Sequence, residues 1–291
     1  MHRFRSRRAV AAVALTSAIA LLAACQTPPP YGGPPTANFR FEATQVTVVH
    51  NQDETCVIIC VNKEDEVYML NLWFRVTVGQ PGSAQAGYVK GSPDAENLAD
   101  GDTHNFTGAQ RATVNFSNVA VPDVLDLAQG AKVEVVGVWS WAVESDFTGV
   151  TAAAGAAADA IKSALNSTLA TGSLPSDAGQ IVSTILSGLG LGGVFGIIGP
   201  ALGSLVWPLQ DDVVGSRMYV GVGASGTLQG IIDSSAAGAS FPTLDIPVTK
   251  VPPDIQGGSI FATGNRSFTN QVMDQGNVDG DYRNAFTFTQ V

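Results

Sequence analysis

The chain predicts a mainly β fold: an antiparallel β-sandwich with an inserted Ala/Gly-rich α-helical hairpin at about residues 148–207. Three observations carry this. Apolar residues alternate with period two in several short runs, as strands that bury one face require. Gly, Pro and Asn punctuate those runs, the pattern of sandwiches and barrels. Between Thr148 and Trp207 the apolar period changes to that of a helix.

Taken along the chain, a first strand is expected at Thr44 to Val49, followed by the clearest one, Val67 to Val78. There Tyr68, Leu70, Leu72, Phe74, Val76 and Val78 share one face, and Val67, Met69, Asn71, Trp73, Arg75 and Thr77 the other, which reads as a half-buried strand. Arg111 to Val121 is a shorter candidate around Val114 and Phe116. Lys132 to Glu144 alternates Val133, Val135, Gly137, Trp139, Trp141 and Val143 against a face that includes Glu134 and Ser140. Then Val150, Ala154, Ala157, Ala158, Ile161, Leu165 and Leu169 recur at helical spacing, with Asp159, Lys162 and Asn166 opposite. Gly172 and Pro175 break that helix. A second is expected from near Ser176, with Ile181, Val182, Ile185, Leu186 and Leu189 on one side. Further strands are expected at Arg217 to Val222, Pro242 to Thr249 and Asn284 to Val291.

The second helix runs into a stretch with no charged residue from Ile181 to Trp207. Gly188, Gly192, Gly196, Gly199 and Gly203 would share one helical face, the small-residue spacing through which membrane helices approach closely. Pro200 breaks the ladder, and each glycine costs about 0.8–1 kcal/mol against alanine in a helix. A buried helix followed by a glycine-rich connection is the preferred reading, with a membrane-inserting element or a subunit interface as rivals.

At the N-terminus, the basic opening Met1 to Arg8 is followed by an apolar run, Ala9 to Ala24, too short to span a bilayer as a helix. The run closes on Leu22-Ala23-Ala24-Cys25. A basic region, an apolar core and small residues before a cut are the physical signature of a removable export signal. These residues resemble the lipobox signal peptide of bacterial lipoprotein precursors. The resemblance covers about the first 26 residues. It implies cleavage after residue 24, lipidation of Cys25, and attachment to the cell membrane or envelope with the domain outside the cytoplasm. Residues 25–38, rich in Pro and Gly, read as a tether, and residues 39–291 as a single β-rich domain. Gln26 follows the lipidated cysteine, and in lipoproteins resembling this one an aspartate there would favour inner-membrane retention, so none is signalled.

Loss of residues 1–24 would remove four arginines and no acid, leaving 11 basic against 25 acidic residues, a net charge of −14. Such a surface repels nucleic acid. Of three cysteines, Cys56 and Cys60 would be the two left outside the cytoplasm, where thiols oxidise. Four residues apart on one straight strand they would lie about 13 Å from each other, beyond disulfide reach, so a bridge requires a turn between them. A C-x3-C without a nearby histidine is a poor metal site.

Acidic residues cluster near expected element ends: Asp53 with Glu54, Glu64-Asp65-Glu66, Glu144 with Asp146, and Asp211 with Asp212. If these loops converge they could supply the six to eight oxygens calcium takes; otherwise they are solvated loop acids. Asp274 to Asp281 has a superficial likeness to a calcium loop, but aligning Gly280 to the loop glycine puts Gln275 and Phe286 at two ligand positions. The sequence has no G-x-S-x-G, H-E-x-x-H, P-loop or G-x-G-x-x-G pattern, and His50 and His104 are the only histidines beyond the leader. The expectation is a non-catalytic binding or structural module of the cell envelope, with no cofactor except possible calcium. Its partners would be the membrane, through the lipid, and an envelope protein or glycan. The alternatives are a membrane-active protein inserting its glycine-rich segment, and a hydrolase whose site, for example Glu144 with Asp146, is unrecognised.

Overall fold

Two sheets stack face to face, and helices cover the outer face of one of them. The computed structural model describes residues 31–50, 54–56, 60–62, 65–145, 150–175, 180–189, 212–237, 255–274 and 280–291, of which those from Pro34 onward form one compact unit. In the first sheet, β12 (Arg266–Asp274) pairs with β13 (Asp281–Gln290), and β13 with β1 (Thr36–His50). On the far edge of β1, β7 (Thr103–Asn105) pairs with residues 45–47 and β8 (Val114–Ala120) with residues 36–41. The second sheet runs β11 (Ile255–Ala262), β10 (Asp212–Val222), β9 (Glu134–Glu144), β4 (Asp65–Thr77), β5 (Gln85–Lys90), with β6 (Ala95–Leu98) on the start of β4. A separate ribbon pairs β2 (Glu54–Cys56) with β3 (Cys60–Asn62).

The four described α-helices are α1 (Val124–Ala128), α2 (Val150–Ser167), α3 (Ile181–Leu189) and α4 (Gly226–Ala236). They produce a second core. Between the sheets, Phe39, Phe41, Met69, Val138, Tyr219 and Phe286 pack together. On the other face of the second sheet, Leu70, Phe74, Trp139 and Trp141 meet Ala157, Ile161, Leu165 and Ile185 of the helices. Hence β4, expected to be half-buried, is covered on both faces, as is β9. Trp139 donates its indole N–H to Ser216 Oγ at 2.8 Å on the helix side.

The sandwich with a helical insertion is therefore the fold, and the insertion lies across the second sheet. Several boundaries differ from expectation. β1 begins at Thr36, inside the expected tether, and buries Phe39 and Phe41. The residues before β8 form a 3₁₀ turn, Gly108–Arg111. The second helix is described over Ile181–Leu189, and its expected start near Ser176 lies outside the described residues. β10 and β11 pair in parallel, whereas all other strand pairs are antiparallel. The expected strand at 242–249 lies outside the described residues.

The register gives the sandwich two distinct ends. At one, the chain enters: Val121 N–H donates to Pro35 O at 2.8 Å, and Thr36 opposes Ala120. The same end carries α1, the turn after α2, and the start of α4, where Ser225 N–H donates to Pro122 O at 2.9 Å. At the other end lie His50 of β1, Asp65 of β4, Glu144 of β9, Asp212 of β10, Asp274 of β12 and Asp281 of β13.

Candidate functional site

Five strand ends bring acidic residues to one pole of the sandwich, and a sixth, that of β1, brings His50. Val67 opposes Glu144 across β4 and β9, both on the face turned to the first sheet, and the backbone of Asp212 in β10 pairs with Glu144. Asp65, two residues before Val67, is fully buried and accepts a hydrogen bond from Tyr282 Oη at 2.6 Å across the sheet interface. Glu144 is 2% exposed. These carboxylates are built into the end of the inter-sheet core, while Glu66 alternates to the exposed side and uses its carbonyl to accept from Ser145 N–H at 2.8 Å.

The first sheet adds a second acidic group. His50 opposes Asp281, and Asp281 opposes Asp274. His50 Nδ1 lies 3.5 Å from Asp100 Oδ2. The turn that carries Asp100 is closed by Ala99 N–H donating to Asp102 Oδ2 at 3.0 Å and is held to β1 by Val48 N–H donating to Asp102 O at 3.0 Å. Partial burial holds the Asp281 carboxyl above the usual carboxylate range, and the nearby Asp274 charge pushes the same way. The Arg283 guanidinium, which donates to Asp281 Oδ1, and His50 oppose the shift.

The expected convergence of acidic loops is thus partly visible. The structure brings together the strand ends that carry Asp65, Glu66, Glu144 and Asp212; for Asp212 and Glu54 it describes backbone pairing alone. Asp53, Glu64, Asp146 and Asp211 lie outside the described residues, as do 275–279 of the calcium-loop-like run. Among the described residues no group of three or more His, Cys, Asp or Glu is placed to hold a metal ion. Asp100 and Asp102 were missed; the signal available was Asp100-Gly101, a turn dipeptide that brings its neighbours to a strand end. What the pole offers chemically is a concentration of negative charge, of which two carboxylates are fixed in the core, suited to drawing cationic groups.

The other expected sites divide similarly. Cys56 and Cys60 oppose each other in the β2–β3 ladder, where directly paired Cα atoms sit about 4.5–5.5 Å apart, within the span a disulfide accepts. Cys25 lies outside the described residues, with Gly192, Gly196, Gly199 and Gly203. Gly188 is described, on α3, and a Cβ there would lie 2.4 Å from Leu169 Cδ2. It is a helix-packing contact. No described helix is long and apolar enough to cross a membrane. His104 shares a 3.3 Å hydrogen bond with Gln110 Oε1, which also accepts from the Thr107 hydroxyl at 3.2 Å, and packs edge-on against Phe106. Comparisons with protein-family models, with curated proteins and with solved structures return no match for this chain.

Proposed function

We propose that the chain is a lipid-anchored protein of the bacterial cell envelope whose domain acts as a non-catalytic binding or structural module. The observation that carries this reading is the N-terminal sequence, with Cys25 closing the Leu22-Ala23-Ala24-Cys25 segment. The fold supports it in one respect. The chain enters at the pole opposite the acidic strand ends, so an anchor at Cys25 joins the domain at the pole far from those acids and leaves them open to an envelope protein or glycan bearing cationic groups. In an exported chain the opposed Cys56 and Cys60 would be joined as a disulfide, and any calcium held at the acidic pole would need oxygens from the loops that continue its strands.

Metabolic labelling with a radioactive or clickable fatty acid tests the anchor. The wild-type chain should incorporate label at its mature N-terminus and fractionate with membranes. Cys25→Ser should lose both label and membrane association while folding normally. A labelled Cys25→Ser chain, or an unlabelled wild-type chain, overturns the reading.

A further inference from the structure

We infer that the pole carrying α1 is the face apposed to the lipid bilayer, with Leu125 entering the headgroup layer. This rests on the reading that Cys25 is acylated, and it goes beyond it. An anchor by itself leaves the domain free to turn any face to the membrane.

The chain outside the domain sets the partner. Ten residues lie between Cys25 and Thr36, and the eleven Cα-to-Cα steps, even fully extended, span at most roughly 40 Å. β1 then runs away from the entry point for 15 residues, about 50 Å at strand rise. The entry pole therefore stays near the bilayer, while the acidic pole can be carried well clear of it. At the entry point, Pro35 accepts from Val121, two residues later Asp123 caps α1, and Leu125 follows on its first turn.

The surface there fits an apolar partner. Leu125 is 70% exposed, the most exposed of the large apolar side chains described. Beside it a cavity of about 430 Å³ is walled by Val124 and Leu127 of α1, Leu174 and Pro175 of the turn after α2, and Ile181 of α3. The acids at the start of α1 cap helix ends. Asp123 Oδ1 accepts from the Val124 and Leu228 amides at 2.7 and 3.0 Å, and Asp126 Oδ2 accepts from Asp123 N–H at 2.8 Å. Both carboxylates are engaged at helix ends, and between them Leu125 stands out as an aliphatic prominence at the place where the chain leads to the membrane. Charge gives the same orientation, because an anionic leaflet repels the acidic pole.

The test is amide hydrogen exchange on the full-length acylated chain in phosphatidylethanolamine/phosphatidylglycerol vesicles, against the Cys25→Ser chain with the same vesicles. Exchange over residues 121–131 should slow severalfold in the anchored protein, with residues 281–290 unchanged. Leu125→Asp should remove the slowing without releasing the protein from the vesicles. A chain that floats with the vesicles yet exchanges equally over 121–131 with and without its anchor overturns the inference and leaves the lipoprotein reading intact. A wild-type chain that does not float overturns both.

Discussion

Two buried carboxylates at the interface of the sheets, Glu134 and Asp65, are each held by partners from distant parts of the sequence. Arg75 donates through Nε to Glu134 Oε1 at 2.6 Å and through Nη1 to Ser117 O at 3.0 Å, while Glu134 Oε2 accepts from Ala120 N–H at 2.9 Å. One carboxylate so joins β4, β8 and β9. At the other pole Asp65 and Tyr282, 217 residues apart, close the core with a single hydroxyl–carboxylate bond. Replacing Tyr282 by Phe keeps the ring and removes the donor to a fully buried acceptor, a loss of about 1–3 kcal/mol. Urea unfolding should show Tyr282→Phe with a lower midpoint and an unchanged slope, since the surface exposed on unfolding is the same. A midpoint equal to wild type would mean that the bond adds nothing to stability. None of these pairings is visible in sequence, because alternation identifies the face a residue occupies but not what lies across the sheet interface.

Among the elements, legibility followed the regularity of the pattern. β4 and β9 were plain because their alternation is unbroken over more than ten residues. β1 was read only from Thr44, because its parity changes. Phe39, Phe41 and Ala43 face inward at odd positions, Val46 and Val48 at even ones, and a bulge between Ala43 and Gln45 accounts for the switch. The same device shortened the reading of β10, which has an irregularity between Val213 and Gly215, and hid β12, which has one between Phe268 and Gln271. The edge strand β5 was missed because its residues are polar or half-buried. The two helices α2 and α3 were legible from period alone, but their partner was not, while α1 and α4 were missed, α1 being five residues long and α4 burying only Leu228 and Ile232. Gly188 was read as one of a stripe of glycines on a helix preferred as buried, and what the stripe did not show is that it admits Leu169 from the turn after α2. Gly188→Leu should force the two apart. Relative to wild type, its thermal unfolding midpoint should drop, with loss of α3 protection in hydrogen exchange and little change in the inter-sheet core. An overpacked core site typically costs about 1–3 kcal/mol. Equal midpoints would show that α3 does not pack there in solution.

On the scale of the whole molecule, the two poles respond to pH with opposite signs. At the entry pole, hydrogen bonds from the Leu228, Val124 and Thr227 amides hold the Asp123 carboxyl below its ordinary value, against a small opposing effect of burial. The folded protein therefore binds that proton less readily than the unfolded chain. The stability Asp123 contributes is fully present above the unfolded value and is lost as pH falls through the lower folded one. At the acidic pole, Asp281 is raised. The folded state holds its proton more tightly, so the contribution is greatest below the unfolded value and declines as pH rises through the folded one. The segment between the two ends is rigid sandwich, so the effects are separable. Unfolding midpoints followed from pH 3 to pH 7 should show a decline on the neutral side that Asp281→Asn flattens, and a decline on the acid side that Asp123→Ala flattens. If Asp281→Asn left the neutral side unchanged, the burial of its carboxyl would not be a feature of the folded protein in solution. The acidic pole would then be an open, solvated surface throughout, and the contrast with Asp65 and Glu144 in the core beneath it would mark where cationic partners meet the domain.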